Sequence, residues 1–302
     1  MFEHSQHILK MAEGNPALRM AVVHPCDPLS LHGAVEAARA NLIVPILIGP
    51  KPKILAAATQ AAVDLSKFEL IDTPHSHAAA ATAVELAAGH RVDALMKGSL
   101  HTDELMSAVV APNSGLRTGR RVSHVFVMDV PSYTRLLLIT DAAINVLPTL
   151  DQKRDIVQNA IDLAVVLGIA EPKVAILSAV ETVTEKLRST IDAAALCKMA
   201  ERDQIVGGIL DGPLAFDNAI SAEAARSKGI ESQVAGQADV LVVPDLEAGN
   251  MLAKQLQYLA GAHSAGIVLG ARVPIALTSR ADSVPARLLS CAIAVLLATR
   301  AH

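Results

Sequence analysis

The sequence holds almost no aromatic residues: Phe, Tyr and Trp make up 2% of 302 residues, and Trp is absent. Hydrophobic residues nevertheless reach 52%. Ala, Val, Leu and Ile must therefore build the core, as in α/β proteins whose strands are buried on both faces. Excess positive charge is missing too. The net charge of -4, with a pI near 6.2, gives no support to nucleic-acid binding, and no basic run is interleaved with aromatics. Long apolar runs are also absent. The longest, 288–298, covers about half of the roughly 20 residues needed to span a bilayer. The three cysteines, Cys26, Cys197 and Cys291, form neither a CxxC pair nor a disulfide framework, and none has an obvious His partner. Met1-Phe2-Glu3-His4 lacks the basic-then-apolar pattern of a signal peptide. The expectation is a reduced, cytoplasmic protein with no membrane or nucleic-acid partner.

Several sequence motifs are missing as well. No GxGxxG follows the first strand candidate and no Walker A pattern exists, which disfavours those two modes of nucleotide binding. None of the eleven histidines sits in HExxH, and no GxSxG elbow occurs. His75 and His77 have a His-x-His spacing without a further ligand nearby, so they read as a solvated helix start rather than a metal site.

What is present is a rhythm. Short β-branched runs at 20–24, 45–48, 68–71, 94–96, 124–129, 136–140, 174–178, 207–210, 240–243 and 275–278 alternate with Ala-rich helical stretches. The main helix candidates are 34–40, 77–88, 151–167, 185–200, 248–259 and 285–298. Such alternation predicts βαβ units and parallel sheets with right-handed crossovers. Only Pro131-Ser132-Tyr133-Thr134 breaks it, reading as a hairpin and so an antiparallel pair. No Gly/Ser linker or internal repeat appears. The expected fold is α/β with two domains, 1–145 plus 273–302 and 146–272, each a mostly parallel sheet flanked by helices. Sites in such sheets lie beyond the carboxyl ends of the strands, here in a cleft between the domains.

Four strand ends carry polar groups. In 274–283, an apolar run stops at Ser279, Arg280 and Asp282 just before a helix. An arginine fork, a hydroxyl and free backbone N–H groups together suit a phosphate. The same residues also satisfy a plain strand-to-helix turn with Ser283 as N-cap. In Lys97-Gly98-Ser99-Leu100-His101-Thr102-Asp103, Lys97 offers a point charge for phosphate and Gly98 allows close backbone approach to a ligand. His101 can donate or accept a proton; Thr102 or Asp103 could equally be a simple helix cap. Asp211-Gly212-Pro213 reads as a carboxylate at a strand end followed by a rigid turn. In 244–250, Asp245 and Glu247 end a strand, Gly249 excludes a larger side chain, and Asn250 offers an amide.

Together these segments resemble the phosphate acetyltransferase / phosphate butyryltransferase family over most of the chain. The resemblance rests on Lys97-Gly98-Ser99-Leu100-His101, Asp211-Gly212-Pro213-Leu214 with Phe216-Asp217, the PDLEAGN segment at 244–250, and Leu277-Thr278-Ser279-Arg280-Ala281-Asp282-Ser283. It implies a two-domain fold akin to isocitrate/isopropylmalate dehydrogenase and the reaction acyl-CoA + phosphate ⇌ acyl phosphate + CoA. It also implies CoA as a substrate rather than a cofactor, no metal, and a homodimer or higher homo-oligomer. Carried over by residue, Ser279 stabilises the tetrahedral intermediate and Arg280 holds the phosphoryl group. Lys97, Gly98, His101, Asp211, Asp245, Gly249 and Asn250 are candidates for substrate binding.

Two departures stand out. Met106 occupies the place of an acyl-phosphate-binding arginine in the acetyl branch, and Ala286 that of its aspartate base. Asp282 is the nearest carboxylate and the candidate base. Lys97 is a candidate for the charge Met106 cannot supply, while Arg117, Arg120 and Arg121 are weaker ones. These differences, the length and the SRADS wording pull toward the butyryltransferase branch. Two other readings remain open: a dehydrogenase on a related scaffold, and an inactive module binding CoA or acyl phosphate.

Overall fold

A computed structural model describes residues 3–300. In chain order the first half holds α1 (Glu3–Ala12), β1 (Leu18–Val23), α2 (Pro28–Arg39), β2 (Ile43–Gly49), α3 (Lys51–Ala61), β3 (Glu69–Asp72), α4 (Ser76–Ala88), β4 (Ala94–Lys97), α5 (Thr102–Val110), β5 (Ser123–Asp129) and β6 (Leu137–Thr140). Then follow α6 (Leu150–Val166), β7 (Lys173–Leu177), α7 (Arg188–Glu201), β8 (Ile209–Leu214), α8 (Phe216–Ile220), α9 (Ala222–Ser227), β9 (Val240–Val242), α10 (Leu246–Tyr258), β10 (His263–Leu269), β11 (Ile275–Ala276) and α11 (Val284–Arg300).

Two compact units result. Among the described residues, one takes 5–120 and 265–300; the other takes 121–264 with residues 3 and 4. In the first, strands run in the order β3-β2-β1-β4-β11-β10, parallel except for the β10–β11 pair. Its core includes Met20, Leu47, Ile54, Leu95, Met96 and Ile293, all essentially fully buried, each contributing about 1.5–3 kcal/mol. In the second, the order is β5-β6-β9-β7-β8, parallel except for the β5–β6 hairpin. Among the described residues no helix is long and apolar enough to cross a membrane.

The hairpin expected around 131–134 is present, with Val125 opposite Thr140. Its place also explains where the chain changes unit. Leu138, Ile139 and Thr140 pair in parallel with Val240, Leu241 and Val242, which ties β5 and β6 to the second unit. The crossings therefore fall at 120/121 and 264/265, where the sequence reading set them at 145/146 and 272/273.

Local chemistry accounts for other differences. The helix expected to begin at 34 starts at Pro28, because Asp27 accepts the Ser30 N–H at 2.9 Å and Pro28 is preset for the first turn. Strand β10 escaped notice because its opening, His263-Ser264-Ala265-Gly266, has little β propensity. Asp211, Gly212 and Pro213 are not a turn after a strand. They lie inside β8, whose register with β7 shifts between Ala175 and Leu177. Gly212 allows this: a Cβ there would stand 2.8 Å from the Cβ and carbonyl oxygen of Ile176.

Candidate active site

Strands β1, β4 and β11 run parallel and end at one edge of the first unit. Lys97 is the last residue of β4 and is 3% exposed. Among the described residues its ammonium has two long hydrogen-bond contacts, to the carbonyl oxygens of Thr278 at 3.4 Å and Gly98 at 3.5 Å. Burial, reinforced by the cations of Arg287 and Arg280, pulls its pKa down to about 8, against the opposing pull of Asp282 and Asp27.

Gly98 follows, and its reason differs from the one expected. A Cβ there would meet the carbonyl oxygens of Val23 and His24 at 2.5 and 2.6 Å. The close approach seen here is to the end of β1. Gly98 N–H donates to Val23 O at 2.9 Å, and Ser99 donates to His24 O through both its N–H and its hydroxyl. Gly98→Ala is expected to cost about 1–3 kcal/mol by overpacking, read as a lower melting temperature; an unchanged melt would show that the β1–β4 approach gives way freely.

His101, rather than Thr102 or Asp103, is the N-cap of α5, and its N–H donates to Glu104 Oε1 at 3.4 Å. The ring is exposed, and Nδ1 lies 3.5 Å from Nη2 of Arg280. Donation by the guanidinium requires an unprotonated Nδ1. His24 and Cys26 flank this edge: burial moves the imidazole below its ordinary pKa and pushes the Cys26 thiol up to about 11. Such a thiol is a poor nucleophile at neutral pH.

After β11 the chain turns through Thr278, Ser279, Arg280 and Asp282 into α11. Ser279 is half-buried and Arg280 exposed. Asp282 is 5% exposed, and its Oδ2 accepts the Ser279 N–H at 2.6 Å. A carboxylate in that position shapes the loop. Ser283 Oγ accepts the Ala286 N–H at 3.4 Å, as a cap would.

The remaining candidates lie in the second unit. Asp245 caps α10, accepting the Ala248 N–H at 2.9 Å. Gly249 is a packing position, since a Cβ would stand 2.7 Å from Val243 Cγ2 and 3.0 Å from Ala142 Cβ. Asn250 donates to Ala142 O at 3.2 Å. Asp211 accepts the N–H of its neighbour Gly212 at 2.8 Å. Asp245 also lines a cavity of about 310 Å³, with Thr149, Lys153, Arg188, Ser189 and Asp192 on its other walls. Lys153 and Asp192 form a buried ion pair there, 2.9 Å apart. The structure thus gathers Lys97, His101, Ser279, Arg280 and Asp282 at one edge of the first unit, with Asp211, Asp245, Gly249 and Asn250 in the second.

A family model described as phosphate acetyl/butaryl transferase matches residues 75–295. The chain belongs to this family. Phosphate acetyltransferase of Rhizobium meliloti is 67% identical over 279 residues, 92% of this chain and 88% of the relative. Phosphate butyryltransferase of Clostridium acetobutylicum is 39% identical over 298 residues, 99% of both chains. A branched-chain phosphotransacylase from Enterococcus faecalis V583 superposes with a TM-score of 0.80 at 28% identity, covering 93% of this chain and 99% of that one. This phosphate acyltransferase catalyses reversible transfer of an acyl group between CoA and phosphate; neither a dehydrogenase nor an inactive binding module is favoured. The pull toward the butyryltransferase branch is not matched by these identities, since the 67% relative carries the acetyl name.

Met106, where the acetyl branch was expected to carry an arginine, is a buried core residue of the phosphate acyltransferase. Arg121 is tied to Asn145 at 2.7 Å through Nε, and Arg117 forms a bridge with Ala271. His75 caps α4, accepting the Ala78 N–H at 3.2 Å, and among the described residues no cluster of His, Cys, Asp or Glu could hold a metal ion. Sequence reading missed Arg287, which is fully buried against the loop it follows. The available signal was a single charge inside the otherwise apolar helical run 284–298.

Proposed function

We propose that this phosphate acyltransferase uses acetyl groups and works at the edge where β4 and β11 end. The 67% identity to a phosphate acetyltransferase supports the acyl group, and Lys97 carries the placement of the site. A buried ammonium with two long carbonyl contacts is poorly satisfied by the protein, and a phosphoryl group would supply the charge and acceptors it lacks. Arg280, exposed and close to His101, supplies the second cation.

In the direction of thioester formation, the CoA sulfur attacks the carbonyl carbon of the acyl phosphate. The C–S bond forms, and the bond from carbonyl carbon to bridging oxygen breaks. Phosphate leaves with the electron pair, its charge met by Lys97 and Arg280, while Ser279 donates to the oxyanion that develops in between. The thiol proton passes to a base at this edge, where Asp282 and His101 are the acceptors in place. No protein nucleophile is needed.

The cavity beside Asp245, with Arg188 and Lys153 on its walls, supports a role for the second unit in holding CoA. Asp211, Gly249 and Asn250 contribute by shaping that unit, and the dehydrogenase-like two-domain description is consistent with a mostly parallel sheet in each unit. A homo-oligomer is the proposed assembly, and the cytoplasm is the proposed compartment.

The test is a substrate panel. Acetyl, propionyl and butyryl phosphate are each supplied with CoA, and the thioester is followed by its ultraviolet absorbance. The largest kcat/KM is expected with acetyl phosphate; a larger value with butyryl phosphate would overturn the acetyl assignment.

A further inference from the structure

We infer that Arg287 is the positioning residue of the 278–280 loop, holding Ser279 and Arg280 in their working geometry from inside the protein. This rests on the reading of those two residues as the catalytic groups.

Arg287 is 0% exposed and heads the largest fully buried side chains. Such a position is costly for a cation, and an apolar side chain would usually serve stability as well or better. All its hydrogen bonds go to one short segment. Nη1 donates to Thr278 Oγ1 at 2.8 Å, and Nη2 to the carbonyl oxygens of Ser279 at 3.0 Å and Arg280 at 3.4 Å. Among the described residues Nε has no hydrogen-bond partner. From the other side, Asp282 accepts the Ser279 N–H at 2.6 Å. Both peptide groups flanking Ser279 are therefore held, one by a carboxylate and one by a guanidinium.

Room for this arrangement comes from α2. A Cβ on Gly33 would stand 2.5 Å from Arg287 Cδ and 2.9 Å from its Cβ, so the helix presents a notch to the arginine stem. The charge also reaches the substrate-facing lysine. The groups acting on Lys97 are Arg287 on α11, Arg280 and Asp282 in the loop, and Asp27 at the start of α2. Of the cations, Arg287 lowers the proton affinity of Lys97 most. One buried guanidinium thus aligns the donors and, after burial itself, does most to lower the pH at which Lys97 gives up its charge.

The experiment compares Arg287→Met and Arg287→Lys with Arg280→Gln, measuring kcat, KM for phosphate and CoA, and the pH profile of kcat/KM. In the parent enzyme the basic limb should fall near the Lys97 pKa of about 8. Arg287→Met should lower kcat at least about tenfold through loss of alignment, and move that limb to higher pH, because a neighbouring positive charge is gone. Arg287→Lys should keep the limb near its parent position, yet lower kcat by about fivefold or more, since an ammonium cannot reproduce the planar fork. A folded Arg287→Met variant with parent kcat and an unmoved limb would overturn the inference. Should that variant fail to fold, parent-like kcat in Arg287→Lys decides against it equally. Parent activity in Arg280→Gln would instead overturn the reading of the site itself, whatever Arg287 does.

Discussion

Ser279→Ala is expected to lower turnover of acetyl phosphate with CoA by about 10²–10³-fold, the loss that follows removal of one oxyanion donor. The expectation comes from where the hydroxyl stands. Ser279 is half-buried in the turn between β11 and α11, with its backbone N–H committed to Asp282 and its carbonyl to Arg287. Among the described residues its hydroxyl makes no hydrogen bond to the protein, which leaves it available to the substrate. Loss of the hydroxyl should therefore appear in kcat with little change in the melting temperature. Arg280→Gln removes the guanidinium but not the bulk, and should cut kcat/KM for phosphate at least about tenfold, because a charge-assisted fork is lost. Steady-state kinetics with both substrates varied would check each. An Arg280→Gln enzyme with parent kinetics would remove the arginine from the phosphate site.

Lys97→Met is expected to separate function from stability. At neutral pH the mutant should raise KM for phosphate by about tenfold or more, since a buried cation facing the anion is gone. It should also lack the decline in kcat/KM that is expected of the parent above about pH 8, where Lys97 would deprotonate. The stability effect has the opposite sign. Folding moves the Lys97 pKa from its ordinary 10.5 down to about 8, so between these values the unfolded chain binds more protons than the folded one. Parent stability therefore rises with pH across that window, and below it the full penalty of a buried ammonium is present. That penalty is on the order of 3 kcal/mol. Lys97→Met should accordingly melt at a higher temperature than the parent at pH 7 without phosphate. Added phosphate should raise the melting temperature of the parent and leave the mutant nearly unmoved. A phosphate response of equal size in both proteins would show that Lys97 does not touch the anion.

How much of this was legible beforehand varies with the kind of statement. Because periodicity and capping are local, the alternation of apolar runs and Ala-rich stretches predicted most of the strands and the main helices, though not β10. The four-residue break at 131–134 announced the hairpin for the same reason. Boundaries between units were less legible, since β6 joins β9 through pairing between residues about a hundred positions apart, Leu138 with Val240 among them.

At the site, residue type and order alone determined the chemistry on offer: a lysine, a hydroxyl, an arginine and a carboxylate at strand ends, in a pattern that marks phosphate acyltransfer. Only the tertiary structure decided what each group is free to do. Gly98, Gly212 and Gly249 look alike as small residues near functional ones, and only the fold shows which protein atoms a side chain at each would meet. Asp282 reads as a carboxylate at a strand end, and only in the fold does its oxygen also hold the Ser279 N–H. Lys97 becomes a perturbed cation through burial and the guanidiniums of Arg287 and Arg280 far along the chain, and Arg287 finds its notch at Gly33 on a different helix. Chemical identity is written along the chain, whereas burial and partnership arise between segments that meet only when it folds.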